Sequence, residues 1–571
     1  VSTTVSEIIV DTLVQAGAKR CYGIVGDTIN HLTDAMRRSP LDWVHVRHEE
    51  VGALAAGGES YLTGELSVCA GTCGPGSLHF VNGIFESHRN GAPVLLIASD
   101  IDRRERGLDF PQELDQRRIY EQCSVFCAEI AHAEQARRIT AMAAQAALNK
   151  HGVAVVIVAG DMFKERAQDA LPWAVHRTTP VTRPGDAELD RLAELIAEAE
   201  RITVYAGIGA RSGRDQAVAL AGRLKAPLVH TTRAKEFLEH DNPHNVGMNG
   251  ILGNKAGFQA VNDCDLLICL GTDFAYTQFY PDHAKIVQID TEVTHLGRRS
   301  PIDLGLVGDV GATLDALMPR IAPKSDDTHL RKALDTYADD LKRRDKTTDE
   351  PDATLIHPQF VAATLDRLAD GDAAFTADGG SPMVWLLRHI QANGKRSFLT
   401  SLLHGTMANA YPQAIGMALA QPGRQVIALS GDGGMTMLMG DLLTLVQESV
   451  PVKILVFNNG SLGFVEMEQR IEGLLDSYTE LKNPDFSKMA EACGLFGARV
   501  EHADALEEAM HRWLAHDGPA LLDVKVNRME LVMPPKVEAS QVASTAIFGT
   551  KAILNGRADE FLTLLKNNFW R

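Results

Sequence analysis

Short runs that are apolar at nearly every position recur along this chain, each followed by a stretch long enough for a helix. They include "SVCAG" at 67–71, "APVLLIAS" at 92–99, "RITVYAG" at 201–207, "DLLICLG" at 265–271, "KIVQID" at 285–290, "RQVIALSG" at 424–431 and "VKILVFNN" at 452–459. A strand with one wet face alternates apolar and polar side chains; a continuous apolar run must be covered on both faces. Strands of that kind, alternating with helices, imply parallel sheets sandwiched between helical layers. The expected fold class is α/β throughout.

With 571 residues, 45% of them hydrophobic, the chain is too long for one core and reads as several domains. Two stretches break it: the Pro- and charge-rich "DALPWAVHRTTPVTRPGDAEL" at 169–189, and 324–358, a polar segment that is partly helical in pattern. The expected blocks are 1–180, 181–340 and 341–530, with a tail at 531–571. The first and third share a faint repeat. Residues 67–99 and 425–458 both read strand, Gly-x-Gly turn, helix, Pro-led strand.

The formal charge of −18, with no block of consecutive Lys or Arg, argues against nucleic acid, whose binding rests on neutralising phosphates. The apolar runs are far too short to cross a bilayer, and the N-terminus lacks a basic region followed by an apolar one, so a cytoplasmic location is expected. The eight cysteines form no C-x-x-C pair and read as buried free thiols.

The most informative stretch is "GDGGMTMLMGDLLTLVQESVPVKILVFNN" at 431–459. In an open parallel sheet, ligands sit beyond the carboxyl ends of the strands, where glycine turns expose main-chain N–H groups and helices begin. Asp432 and Asn459 fall at two such ends, and a carboxylate, an amide oxygen and nearby carbonyls are hard ligands suited to Mg²⁺ with phosphate. Read alone, the same residues are equally a tight turn and a strand cap.

The spacing, GDG followed by NN with residues 434 to 457 between them, resembles the signature of thiamine-diphosphate enzymes. The resemblance implies Mg²⁺ held by Asp432, the Asn459 side chain and the Ser461 carbonyl, with Gly431, Gly433 and Gly434 at the diphosphate and Gly26 also at the cofactor. "VRHEEVGALAAGGESYLTG" at 46–64 matches the helix start whose Glu, here Glu49, activates the aminopyrimidine ring. In the family that Glu serves another subunit's site, which implies a dimer-based homo-oligomer and a homotetramer. "LLHGTMANAYPQAIG" at 402–416 matches the segment in which a bulky residue, here Met407, props the cofactor. The plainer alternative for Met407 is core filler.

The central block adds "VYAGIGARSG", "HTTRAKEFLEHDNPHNVGMNGILG", "LGTDF", "QID" and "VGDV". With "RHEE", "CGPG", "AKE", "DNP", "FYP", "SGDGG" and "LGF" in order across nearly the whole chain, it is similar to the pyruvate oxidase family, nearest the quinone-dependent pyruvate dehydrogenases. That implies FAD on Gly207, Gly209, Arg211, Arg233, Lys235, Gly247, Met248, Gly271, Thr272, Asp273, Phe274, Asp290 and Asp309. It also implies that pyruvate, or a related 2-oxo acid, is oxidatively decarboxylated to acetate and CO₂, with Gln112, Phe464 and Glu468 facing the substrate and electrons passing to a membrane quinone. The alternative is a carboligase of the acetolactate synthase type. Ile553, Phe561, Leu562, Leu565, Phe569 and Trp570 can form an apolar stripe on a tail helix, implying peripheral attachment to the inner face of the membrane.

The chain departs from the family at Pro111, where an aromatic is common, at Asp115, where a His is common, and at Gly379, where a Val follows the Asp. Losing two bulky side chains is expected to enlarge or reshape the pocket and bears on which 2-oxo acid it takes.

Overall fold

The computed structural model describes residues 2–168, 173–349, 356–528 and 530. Three six-stranded sheets organise them, and every strand pairing within these sheets is parallel. A separate antiparallel pair joins Ser2–Thr4 to Arg166–Gln168 and ties the chain's start to the end of the first block.

The first sheet contains β1 (Arg20–Gly23), β2 (Asp42–His45), β3 (Ser67–Gly71), β4 (Val94–Asp100), β5 (Phe126–Glu129) and β6 (Val153–Ala159), in the order β2-β1-β3-β4-β6-β5. The central sheet contains β7 (Ile202–Ala206), β8 (Leu228–His230), β9 (Asn245–Met248), β10 (Leu266–Leu270), β11 (Lys285–Asp290) and β12 (Leu304–Val307), in the order β9-β8-β7-β10-β11-β12. The third contains β13 (Ala374–Ala377), β14 (Ser397–Thr400), β15 (Val426–Gly431), β16 (Lys453–Asn458), β17 (Phe496–Val500) and β18 (Ala520–Lys525), in the order β14-β13-β15-β16-β18-β17. First and third sheets therefore have one topology, and the repeat read in residues 67–99 and 425–458 is the equivalence of β3–β4 with β15–β16.

The apolar runs fall where double burial demands. β3, β4, β6, β7 and β10 are buried at every residue. A sheet whose strands run in one direction collects all its strand ends on one edge, and the order reverses between β13 and β15 and between β7 and β10. Such reversals are where flanking loops can splay apart, and between β13 and β15 they leave a cavity.

Seven helices position the site: α1 (Glu49–Thr63), α2 (Pro75–Leu78), α3 (Val81–Asn90), α4 (Ser381–His389), α5 (Ala410–Ala420), α6 (Asp432–Leu438) and α7 (Gly463–Ile471). α1 carries two adjacent glycines, Gly57 and Gly58, each of which costs about 1 kcal/mol relative to Ala in a helix interior. Their packing explains them. A Cβ on Gly58 would lie 2.1 Å from the Gln413 carbonyl oxygen, and one on Gly416 only 1.8 Å from that of Ala55. Backbone-to-backbone approach of α1 and α5 fuses the first and third blocks around a shared core that includes Tyr22, Phe80, Tyr411, Ile415 and Phe486.

Polar contacts lock the same junction. Glu86 on α3 accepts from the Ser401 hydroxyl at 2.6 Å and the Gln413 amide at 3.1 Å, while the Asn82 amide donates to the Thr406 hydroxyl at 2.9 Å. The central block is tied to the third by Arg388, whose guanidinium donates to the carbonyls of Leu252 (3.1 Å) and Gly253 (3.2 Å).

The segment 328–349 is a helix, as the polar pattern implied. The tail helix expected at 531–571 lies outside the described residues, among which no helix is long and apolar enough to cross a membrane. Six cysteines are buried and two are half-buried, all as free thiols, and no metal-holding His/Cys/Asp/Glu cluster occurs among the described residues.

Candidate active site

At the reversal between β13 and β15 a cavity opens, lined by residues 378–382, Met407, 431–434, Asn459 and 461–465. β13, β15 and β16 end at its edge, and α4, α6 and α7 begin there. Each helix start leaves main-chain N–H groups without intrahelical partners, and three such starts give a positive rim for an anion. Gly380, at φ +136°, makes the turn from β13 into α4 that an L side chain would strain.

Asp432 is buried, with Oδ1 accepting from its neighbour Gly433 N at 2.9 Å. Oδ2 accepts from Gly460 N at 2.7 Å and from the Asn483 side-chain amide at 2.7 Å. Burial raises this carboxyl above its ordinary value, and those donors oppose the rise. Asn459 Oδ1 accepts from Ser461 N at 3.0 Å, and the Ser461 carbonyl accepts from Gly463 N at 2.8 Å. The Ser461 hydroxyl binds Glu466, itself paired with Arg470. Asp432, Asn459 and Ser461 thus line one cavity and among them offer a carboxylate, an amide oxygen and a carbonyl oxygen, a donor set suited to Mg²⁺.

The glycines there are bare by necessity. A Cβ on Gly433 would lie 2.8 Å from Leu462 and 3.1 Å from Met407, and one on Gly434 would lie 2.3 Å from Asp378 Oδ2. The main chain therefore meets the cavity without side chains, as close approach of a diphosphate requires. Met407 precedes Ala408, whose φ of +64° marks a forced turn, and the loop before it is held by Asn82.

Phe464 lines the cavity with Trp385 and Val526, whereas Glu468, one turn along α7, is exposed and outside the lining. The expectation of extra room at Gly379 is corrected. A Cβ there would lie 2.3 Å from the Thr406 carbonyl oxygen, so main chain fills the space a side chain would take.

Two residues that motif reading did not single out belong here. Asp378, fully buried at the end of β13, accepts from Ala410 N at 2.9 Å and Gly431 N at 3.1 Å, and burial pushes its carboxyl up to about 7. An acid directly after an apolar strand was a legible signal. Asn483 carries no local signal, because only the folded loop brings it to Asp432.

Glu49 is the first residue of α1, behind His48, whose ring nitrogen accepts from Glu50 N. It is 7% exposed; Oε2 lies 2.9 Å from His79 Nδ1, and Oε1 has no hydrogen-bond partner among the described residues. Gln112 lies near, at a φ of +72°, with its amide oxygen accepting from the Cys73 thiol at 3.2 Å. Gly26 packs on Thr72 at the same sheet edge, a Cβ there falling 2.4 Å from Thr72 Cβ. None of the three lines the third-block cavity of the same chain.

In the central block, the loops after β7 and β10 touch at the strand-order reversal. Gly207 N donates to Leu270 O at 2.9 Å and Gly209 N to Gly271 O at 3.0 Å, and a Cβ on Gly207 would lie 2.6 Å from Thr272 Cβ. Gly247, at φ +86°, and Met248 are held by Asn245 and Asn254, and Phe274 packs edge-on to Tyr205. The charged members are committed to protein partners. Arg211 pairs with Glu236 at 2.9 Å, Lys235 with Glu239, and Asp273 with Arg298 and Arg299. Arg233 donates to the Asn90 carbonyl at 3.2 Å, Asp290 accepts from Glu292 N at 2.9 Å, and Asp309 caps the following helix through Ala312 N at 3.0 Å.

Three family models match the chain in order. They are the N-terminal TPP binding domain of thiamine pyrophosphate enzymes at residues 3–119, the central domain at 189–317 and the C-terminal TPP binding domain at 378–524. YdaP of Bacillus subtilis, whose name records thiamine pyrophosphate as a provisional assignment, is 34% identical over 99% of this chain and 98% of its own. The chain belongs to the thiamine pyrophosphate enzyme family. Within that family it is similar to the pyruvate oxidase of Lactiplantibacillus plantarum, 28% identical over 94% of this chain and 91% of the relative. It is equally similar to the acetolactate synthase isozyme 2 large subunit of Escherichia coli, 28% identical over 92% and 96%.

Proposed function

We propose that this chain is a 2-oxo acid oxidoreductase that decarboxylates pyruvate, or a close relative, in a thiamine-diphosphate site and passes the electrons through FAD to a quinone. The balance is pyruvate plus water to acetate, CO₂, two protons and two electrons; FAD takes the electrons and hands them to the quinone. The observation that carries the reading is the convergence of Asp432, Asn459 and Ser461 on a cavity floored by Gly431, Gly433 and Gly434.

In this reading Asp432, the Asn459 amide oxygen and the Ser461 carbonyl hold Mg²⁺, and the helix starts at Ser381, Asp432 and Gly463 offset the diphosphate charge. Bound thiamine diphosphate supplies an electron sink for the carbon that loses CO₂. Met407 supports it from the side of Gly433. Glu49 of a second copy, with Oε1 free, hydrogen-bonds a ring nitrogen, which explains why Glu49 and the cavity lie apart within one chain. Gln112 accompanies it, and Phe464 shields the reacting carbon from water, with Glu468 on the entry side.

Support for FAD comes from the central sheet, whose order β9-β8-β7-β10-β11-β12 is that of dinucleotide-binding folds and places Gly207, Gly209 and Gly271 at the reversal. A dimer-based assembly and a peripheral membrane contact through residues 531–571 complete the proposal.

The test is anaerobic mixing of FAD-loaded protein with thiamine diphosphate, Mg²⁺ and pyruvate while flavin absorbance is followed. Bleaching supports the reading. Acetolactate formation without bleaching replaces it with carboligation, a reading to which the 28% identity with acetolactate synthase lends as much support as pyruvate oxidase lends to the first.

A further inference from the structure

We propose that His79 is a positioning residue for Glu49, holding one carboxylate oxygen so that the other faces a ring nitrogen of the bound cofactor. The inference rests on the role given to Glu49 above. The terminal torsion of a Glu side chain is broad, so burial alone does not fix which way its oxygens point. Here Oε2 is taken by His79 Nδ1 at 2.9 Å, and Oε1 lies on the side of Gly76, 3.4 Å from the place a Cβ there would occupy, a place that Thr72 Cγ2 crowds at 2.6 Å.

His79 is itself held at two further points. Its N–H donates to the Pro75 carbonyl at 2.9 Å at the end of α2, and its ring stacks on His48 with centroids 4.8 Å apart and planes 20° off parallel. His48 in turn is fixed as the cap of α1 by the Glu50 N–H at 3.2 Å. The clamp therefore joins the two turns that flank Glu49, the start of α1 and the end of α2.

The protonation pattern follows from the donor inventory. An ionised carboxylate only accepts, so the hydrogen sits on Nδ1, and in the neutral ring Nε2 carries the lone pair. An ion pair between two exposed side chains contributes little, but Glu49 is buried, and its orientation is what the contact sets.

His79→Phe keeps a ring to stack on His48 and removes the donor; His79→Asn keeps a donor near the position of Nδ1. Each is loaded with thiamine diphosphate and Mg²⁺ without substrate, and exchange of the cofactor C2 proton into D₂O is followed by NMR after acid quench. Affinity of the apo protein for thiamine diphosphate is measured by calorimetry, and folding by the melting midpoint. The expected result is exchange slower by about 10- to 100-fold in His79→Phe, the range seen when a partner that orients a ligating group is lost. Affinity is unchanged, His79→Asn restores most of the rate, and His79→Phe has no further effect in a Glu49→Gln background.

Wild-type exchange in folded His79→Phe, equal loss in His79→Asn, or an additive loss in the Glu49→Gln background overturns the proposal while leaving the role of Glu49 standing. Wild-type exchange in Glu49→Gln removes the role of Glu49 itself, and this inference with it.

Discussion

The side-chain amide of Asn483 donates to Asp432 Oδ2 at 2.7 Å, although 51 positions separate the two residues. The contact exists because segment 479–483 runs beside the loop after β16: Leu462 N donates to Thr479 O at 2.8 Å, and Leu481 N to Gly460 O at 2.9 Å. It holds the Asp432 carboxylate in one orientation before any cation arrives.

Asn483→Leu, which removes that donor at similar size, should weaken Mg²⁺-dependent thiamine diphosphate binding by about 10- to 100-fold. Asp432→Ala should lose it altogether. Titration of the apo protein with cofactor at several Mg²⁺ concentrations measures both, and wild-type affinity in Asp432→Ala would remove the metal assignment.

Glu49→Gln should still bind thiamine diphosphate, because diphosphate and metal contacts lie in the other block, yet lose decarboxylation by about 10²- to 10⁴-fold as a general acid/base group is removed. Cofactor affinity and CO₂ release, measured on one preparation, separate the two effects. Retained CO₂ release rules out the role.

Gly379→Val would introduce the branched side chain that the family resemblance leads one to expect, but its Cβ would lie 2.3 Å from the Thr406 carbonyl oxygen. The backbone of 405–406 cannot yield like a flexible side chain, so a stability loss of about 1 to 3 kcal/mol is expected, with no simple narrowing of the pocket. The urea midpoint checks this; an unchanged midpoint would mean that the 405–406 turn moves freely.

Asp378 makes the apo protein pH-sensitive in a calculable direction. Burial pushes its carboxyl up to about 7, from 3.8 when exposed. Between those values the native state holds a proton that the unfolded chain has released, so this group's contribution to stability falls as pH rises through the window and levels off above it. The difference in urea midpoint between wild type and Asp378→Asn should therefore shift between pH 5 and pH 8 in the direction that penalises wild type at pH 8. A constant difference would show that Asp378 stays ionised throughout.

Gly416→Ala should loosen the seam between first and third blocks, since its Cβ would lie 1.8 Å from the Ala55 carbonyl oxygen. The α1–α5 contact has no room to relax without separating the helices. A lowered melting midpoint, together with weaker cofactor binding through the loop that carries Met407, is the expected pair of changes; an unaltered midpoint would contradict the packing.

Much of this was legible in residue order. Runs such as 94–98 and 454–457, apolar at every position, too short for a helix and alternating with helix-length segments, read as doubly covered parallel strands. The spacing from Gly433 to Asn458 pointed, through its resemblance to the thiamine-diphosphate signature, to the segment that lines the cavity, since parallel strands place their ends on one edge and an acid after one and an amide after the next become neighbours. Glu49 stood out only through the family resemblance, since an acid at a helix start is by itself an ordinary solvated one. What remained for the tertiary structure were relations with no signature along the chain: Asn483 on Asp432, His79 on Glu49, Asn82 on the loop of Met407, and main chain filling the space beside Gly379. Periodicity encodes burial and hydrogen-bonded direction, which act locally; the approach of loops from different strands depends on how far each helix carries the chain and on glycines where backbones meet, and those distances exist only once the three sheets are packed.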